Sequence, residues 1–129
     1  MADRTLAGIN NMTRRDSILG QSRPANTTAV SIYSPALNVI GFITWIHVCN
    51  TTGTAATFRL FVHNTGTTYD ESTALEFDKS CPANNSTAIN FGEKGLPMLD
   101  DVGNFAVRTG TASALTFTVW GYEMVGGII

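Results

Sequence analysis

Leu37-Asn38-Val39-Ile40-Gly41-Phe42-Ile43-Thr44-Trp45-Ile46-His47-Val48-Cys49 is the run that decides the fold. Its β-branched and aromatic residues suit a strand, where such side chains pack on a pleated surface. Its large apolar residues fall on both parities: Leu37, Val39, Ile43 and Trp45 on one, Ile40, Phe42, Ile46 and Val48 on the other. A strand apolar on both faces belongs in the middle of a sheet, with both sides covered or with one side against a partner.

Working outward, a turn at Asn50-Thr51-Thr52-Gly53 follows this strand. Residues 56–63 then set Phe58, Leu60 and Val62 against Thr57, Arg59, Phe61 and His63. That is a period of two, which a helix does not give. Upstream, residues 28–34 carry Val30 and Ile32 and stop at Ser34-Pro35. A proline there restricts the residue before it and removes a ladder donor. Downstream, Gly66 makes a second turn, Leu75 and Phe77 mark a strand, and residues 82–85 turn again before Ile89 and Phe91. Residues 95–99 read as a loop or edge segment. Residues 105–109 and 115–124 are expected to close the domain as a hairpin around residues 110–114. In the last strand Leu115, Phe117, Val119 and Gly121 share one face, and Thr116, Thr118, Trp120 and Tyr122 the other. Short strands at this spacing, separated by turn signals, predict an all-β antiparallel β-sandwich. Two sheets of three or four strands fit, and jelly-roll and immunoglobulin-like topologies are both open.

The first 26 residues read differently, as an N-terminal arm ahead of a β-sandwich domain over residues 27–129. Large apolar residues are few there (Leu6, Ile9, Met12, Ile18, Leu19) and show no period of two. A short amphipathic helix over residues 11–19, capped by Asn11 or Thr13, fits the stretch. Gly20, Arg23-Pro24 and Asn26 then break the chain. Arg4, Arg14, Arg15 and Arg23 against Asp3 and Asp16 make this segment net +2 (4 − 2), and the remainder is −4 (4 − 8).

At 129 residues the chain is one domain, long enough for a core without disulfides or metals. Charged residues are 14 %, below the roughly 25 % of an average soluble protein, as expected of a Thr-rich surface that meets partners. A net charge of −2 argues against nucleic acid as the main partner. No apolar run reaches the length of about 20 residues that spans a membrane, and residues 1–10 lack a signal core, so synthesis in the cytosol is expected. Cys49 and Cys81 are too few for a disulfide scaffold and are expected as two independent thiols.

Catalytic patterns are missing their settings. His47 and His63 have no second His or Cys at metal spacing. No Gly-x-Ser-x-Gly elbow or phosphate-binding glycine loop occurs. Asp70-Glu71, Asp100-Asp101 and the alternating Glu76 and Asp78 read as solvated turn and strand-face acids, although paired carboxylates also serve glycoside hydrolysis and calcium binding. Asn-x-Ser/Thr sequons at Asn11, Asn26, Asn50, Asn84 and Asn85 follow from Asn and Thr abundance. No catalytic, cofactor or metal residues are expected. Trp45, Trp120, Tyr122, Tyr33 and Tyr69 read as core or subunit interface, with a sugar-stacking groove as the other use of flat aromatics. Two isoleucines at the end of Met124-Val125-Gly126-Gly127-Ile128-Ile129 suit a partner that buries them.

The stretch from Thr28 to Met124 resembles a group of small tailed-phage structural proteins. The residues that carry the likeness begin with Val39-Ile40-Gly41-Phe42-Ile43 and run on through Ile46-His47-Val48-Cys49-Asn50-Thr51-Thr52-Gly53-Thr54-Ala55-Ala56-Thr57. Leu60 to Val62, Gly66-Thr67-Thr68-Tyr69-Asp70-Glu71-Ser72-Thr73-Ala74-Leu75 and the closing Ala114-Leu115-Thr116-Phe117-Thr118-Val119-Trp120-Gly121-Tyr122-Glu123 complete it. It covers roughly three quarters of the chain. The resemblance implies a non-enzymatic β-sandwich of the virion. Its uses there are capsid decoration (cement), neck or tail attachment, and fibre or tip modules. The expectation is therefore a decoration subunit, as a homotrimer, on the outer surface of the major capsid protein. Arg4, Arg14, Arg15 and Arg23 are expected to meet acidic capsid surface, while Leu6, Ile9, Ile18 and Leu19 pack into grooves. Neck, tail or fibre placement and a carbohydrate- or receptor-binding module are the alternatives.

Overall fold

The computed structural model describes residues 12–98 and 102–126. Among the described residues nine strands alternate with turns: β1 (Met12–Ser22), β2 (Val30–Tyr33), β3 (Val39–Asn50), β4 (Ala56–His63), β5 (Ala74–Cys81), β6 (Asn85–Asn90), β7 (Leu96–Met98), β8 (Asn104–Thr109) and β9 (Leu115–Gly126). A single 3-10 turn, Glu71–Thr73, interrupts them. They form two antiparallel sheets, one in the order β1-β9-β3-β6 with β7 beside β3, the other in the order β2-β8-β4-β5. The fold is an all-β sandwich. Of the two topologies the sequence leaves open, this strand order is that of a jelly roll, two interleaved Greek keys.

The core explains the pattern of the opening run. On β3, Val39, Ile43, Ile46 and Val48 are buried, so the inward positions change parity between Ile43 and Ile46. A β-bulge causes this: Ile43 pairs with Gly121 and Trp45 with Trp120, which leaves Thr44 as the extra residue. The bulge is held by Thr44 Oγ1 donating to Trp120 O at 3.2 Å and by Phe91 N donating to Thr44 O at 2.8 Å. Gly121 is required opposite it, because a Cβ there would overlap Phe42 O. The inward residues of β9 (Leu115, Phe117, Val119), β4 (Phe58, Leu60) and β8 (Phe105, Val107) meet those of β3 between the sheets. Phe58 and Phe117 touch edge to face, with ring centroids 6.0 Å apart. Aromatic pairs of this kind contribute about 1 kcal/mol beyond their area.

Three expectations are corrected. Residues 12–19 are not helical: β1 is an edge strand, paired with β9 from Met12↔Gly126 to Ser22↔Phe117. The alternation of β1 is hidden by a bulge between Ile18 and Gly20 and by an inner side that mixes Arg15, Ser17, Leu19 and Gly20, with Gly20 where β1 closes on β2. Residues 105–109 and 115–124 are not a hairpin. β8 pairs with β2 and β4, β9 with β1 and β3, so residues 110–114 arch from one sheet to the other. The arch is held by Gly110 N donating to Thr57 O (2.7 Å) and Ser113 N donating to Pro24 O (2.9 Å). The third correction is strand number, since the sheets hold five and four strands rather than three or four.

Candidate functional site

Three surfaces bear on function. The first is the outer face of the five-stranded sheet. Residues paired across β1, β9 and β3 share a face, so the register lays side chains in rows. One row is Ile18–Trp120–Trp45, and the next is Asp16–Tyr122–Phe42. Trp45 and Trp120 stack with ring centroids 5.6 Å apart, Phe42 and Tyr122 at 4.7 Å, and His47 lies 6.5 Å from Trp120. Among the described residues Ile18 is 63 % exposed and Trp45 37 %, while Tyr122 lies under Arg14 and donates from Oη to Lys94 O at 3.0 Å. The Arg14 guanidinium lies 3.8 Å above the Tyr122 ring and pairs with Asp16 at 3.0 Å, which raises its pKa. Isolated exposed apolar residues are ordinary, whereas a contiguous aromatic patch with an arginine at its rim has the composition of a protein interface.

The second surface is the outer face of the four-stranded sheet. Here Arg59 forms a fork with Asp78 (2.7 and 3.1 Å) and lies 3.7 Å above the Phe77 ring. The hydrogen bond from Arg59 lowers the Asp78 pKa. Residues 64–73 fold over Phe61, whose ring is 6.2 Å from Tyr69. That loop is fixed by Asp70, which accepts from Ser72 N (2.9 Å) and Ser72 Oγ (2.5 Å), and by Thr68 N donating to His63 Nδ1 (3.0 Å). The two Ser72 bonds hold the Asp70 carboxyl below its usual pKa.

The third surface is the end of the sandwich where residues 23–29, 51–55, 82–84 and 110–114 come together. Asn84 N donates to Thr52 O (2.9 Å), Ser113 N to Pro24 O (2.9 Å) and Gly110 N to Thr57 O (2.7 Å). Buried Asn50 holds this end from beneath. Its amide donates to Thr54 O (2.9 Å) and Cys81 O (3.1 Å), and its oxygen accepts from Thr52 N (2.9 Å) and Thr52 Oγ1 (2.7 Å). An open cavity of about 540 Å³ lies here, lined by His47, Cys49, Asn50, Thr51, Asn84, Asn85 and Ser86.

The residues expected to carry partner binding are spread apart. Arg4, Leu6 and Ile9 lie outside the described residues, as do Asp100, Asp101, Ile128 and Ile129. Arg14 is paired as above. Arg15 reaches Glu123 Oε1 at 2.9 Å on the opposite face of β1, and Arg23 donates twice to Ser113 O (2.7 and 3.0 Å). Leu19 packs partly against the core, so only Ile18 of the apolar set stands out on the surface. Trp45, Trp120 and Tyr122, which the sequence reading places in the core or a subunit interface, form with Phe42 the aromatic rows on this outer face. The signal was present: a central strand apolar on both faces, when one face is enough for the core. Glu123 also accepts from Tyr33 Oη at 2.7 Å, and burial together with this bond pushes the Tyr33 pKa up. Cys49 and Cys81 are both free thiols. Among the described residues no group of three or more His, Cys, Asp or Glu side chains is placed to hold a metal ion, and no helix is long and apolar enough to cross a membrane.

No protein-family model matches the chain, and no curated protein matches it in sequence. Among solved structures it is similar to a chain of infectious bursal disease virus, Gx strain, with a TM-score of 0.50 and 11 % identity over 92 % of this chain and 33 % of that one. A chain of the Gt strain aligns with a TM-score of 0.44 and 9 % identity over 89 % of this chain and 32 % of that one. The chain thus spans about a third of the length of these viral chains, and the likeness to the Gx-strain chain is one of fold.

Proposed function

We propose that this protein is a non-enzymatic structural component of a virion that decorates the outside of the capsid and cements neighbouring capsomers. The observation that carries the reading is the row Ile18–Trp120–Trp45 on the outer face of the five-stranded sheet, with Ile18 and Trp45 exposed among the described residues. A jelly roll similar in fold to a chain from a virus structure supports the setting, while fold alone assigns no role. The partner proposed for this face is the major capsid protein, met by a trimer of these subunits.

In this reading the apolar rows carry the contact. Arg14, Arg15 and Arg23 already have partners within the chain, and exposed ion pairs contribute only about 0–1 kcal/mol each. Buried aromatic anchors contribute more, and repetition of the contact over a shell adds avidity. Arg4, Leu6 and Ile9 would extend the contact from the end of β1.

Quantitative mass spectrometry of purified particles tests the proposal. A copy number that scales with the major capsid protein is expected. A number matching a single ring would move the protein to the neck, tail or fibre and end the cement mechanism.

A further inference from the structure

We propose that the loop end of the sandwich binds neutral glycans, in the cavity bounded by His47, Thr51, Asn84, Asn85 and Ser86. The first observation is charge. The residues that line the cavity, His47, Cys49, Asn50, Thr51, Asn84, Asn85 and Ser86, include no carboxylate, lysine or arginine, and the nearby loop segments 23–29, 51–55, 82–84 and 110–114 carry Arg23 as their single charged residue. Arg23 is committed to Ser113 O. The opposite end, by contrast, carries Asp70, Glu71, Glu93 and Lys94. A site without charge, lined by amides and hydroxyls, suits a neutral polyol and offers nothing to a phosphate, a carboxylate or a metal ion.

The second observation is which groups are free. Asn50 spends its side chain holding the loops, so the frame is fixed before any ligand arrives. The side chains of Thr51, Asn84 and Ser86 and the His47 ring make no hydrogen bond to other described residues. They supply donors and acceptors around an opening of about 540 Å³, within the usual size of ligand sites. The lining side chains are amides, hydroxyls, an imidazole and a thiol, with no carboxylate, lysine or arginine among them.

The third observation is a flat wall. His47 lies beside Trp120, which stacks on Trp45, so the cavity opens at one corner onto an aromatic ladder. Aromatic faces pack against the C–H faces of a pyranose while its hydroxyls reach the amides. His47 is two residues from Trp45, roughly 7 Å along the strand, so the glycan site borders the Ile18–Trp120–Trp45 row that the capsid reading assigns to the partner.

Amide NMR titration of the isolated protein with chitotriose, maltotriose and, as a charged control, sialyllactose tests the inference. Saturable shifts at Thr51, Asn84, Asn85 and Ser86 with a neutral trisaccharide are expected, at a Kd of about 1 mM or tighter. Ser86→Val, a strand-compatible change on an exposed edge, should weaken binding about threefold to tenfold, and His47→Ala similarly. The amide spectrum itself shows that each variant is folded. No saturable shift with either neutral sugar, shifts unchanged in both variants, or preference for sialyllactose would overturn the proposal. No particle enters this experiment, so its failure leaves the capsid reading standing, and failure of the capsid reading leaves it intact.

Discussion

The two outer faces of this sandwich are built on the same plan and differ in how far their aromatic residues run together. Each places an arginine over an aromatic ring: Arg14 over Tyr122 on the five-stranded sheet, Arg59 over Phe77 on the four-stranded one. On the four-stranded sheet Leu75 (38 % exposed) and Phe77 (43 %) are open as well, but no stacked aromatic pair joins them. Phe77 lies under Arg59, Phe61 lies beneath residues 64–73, and Arg108 donates to Thr27 O at 2.6 Å. On the five-stranded sheet the aromatic rows run together across three strands with only Arg14 and Asp16 at the edge. The capsid reading proposed above assigns the partner to the face with the continuous aromatic rows.

The contrast depends on the bulge that turns Trp45 outward. Gly121→Val would place side-chain atoms against Phe42 O and force β3 and β9 apart, so a loss of about 3 kcal/mol of stability is expected in denaturant unfolding. A loss below about 0.5 kcal/mol would mean that the bulge is not needed to hold the aromatic face.

Assembly should separate the faces more directly. Ile18→Asp with Trp45→Ala removes the centre of the exposed row without opening the core. About a hundredfold weaker binding to stripped particles is expected, with little change in stability. Arg59→Ala with Phe77→Ala should leave particle binding as it was. Equal losses from the two pairs would show that the faces do not differ in role.

Much of this could be read from the sequence, and the parts that could not have physical reasons. The period of two in β4 and β9 gave strands, because each has one face in the core and one in solvent. The dual apolarity of β3 gave its central position and raised the possibility of a partner face. The bulge at Thr44 was illegible, since it depends on a glycine in a different strand, Gly121. β1 was read as arm and helix because its inner side mixes Arg15, Ser17, Leu19 and Gly20, and its strand character comes only from pairing with β9. The loop-end cavity joins residues 47–51 to residues 84–86, a proximity set by the crossing of the chain between sheets.

Tyr33 lies on the seam between the sheets and gives a pH-dependent test. Its folded pKa is raised, by burial first and then by the bond to Glu123. A raised pKa stabilises fully below the unfolded value of about 10, and that stability is lost as pH rises above it. Stability should therefore fall above about pH 10, and Tyr33→Phe should flatten this fall. At neutral pH the same substitution should cost about 1 kcal/mol, because Glu123 keeps only Arg15. An unchanged alkaline slope would show that the seam does not restrain this phenol.

The smallest effect is expected at Asp78, and its size is the point. Its pKa is lowered by the hydrogen bond from Arg59, so the pair stabilises above the unfolded carboxylate value of about 3.9 and its contribution fades as pH falls through the lower folded value. The pair is exposed, and water screens it. Asp78 also sits at φ 56° in the bulged edge strand β5, a backbone that Asn tolerates well. Asp78→Asn therefore removes the charge without straining the strand. Thermal unfolding should shift little at neutral pH, the acid-side slope should become shallower, and particle binding should not change. A particle-binding defect in this variant would place the four-stranded sheet against the capsid after all, and that face would have to be redrawn as a second contact.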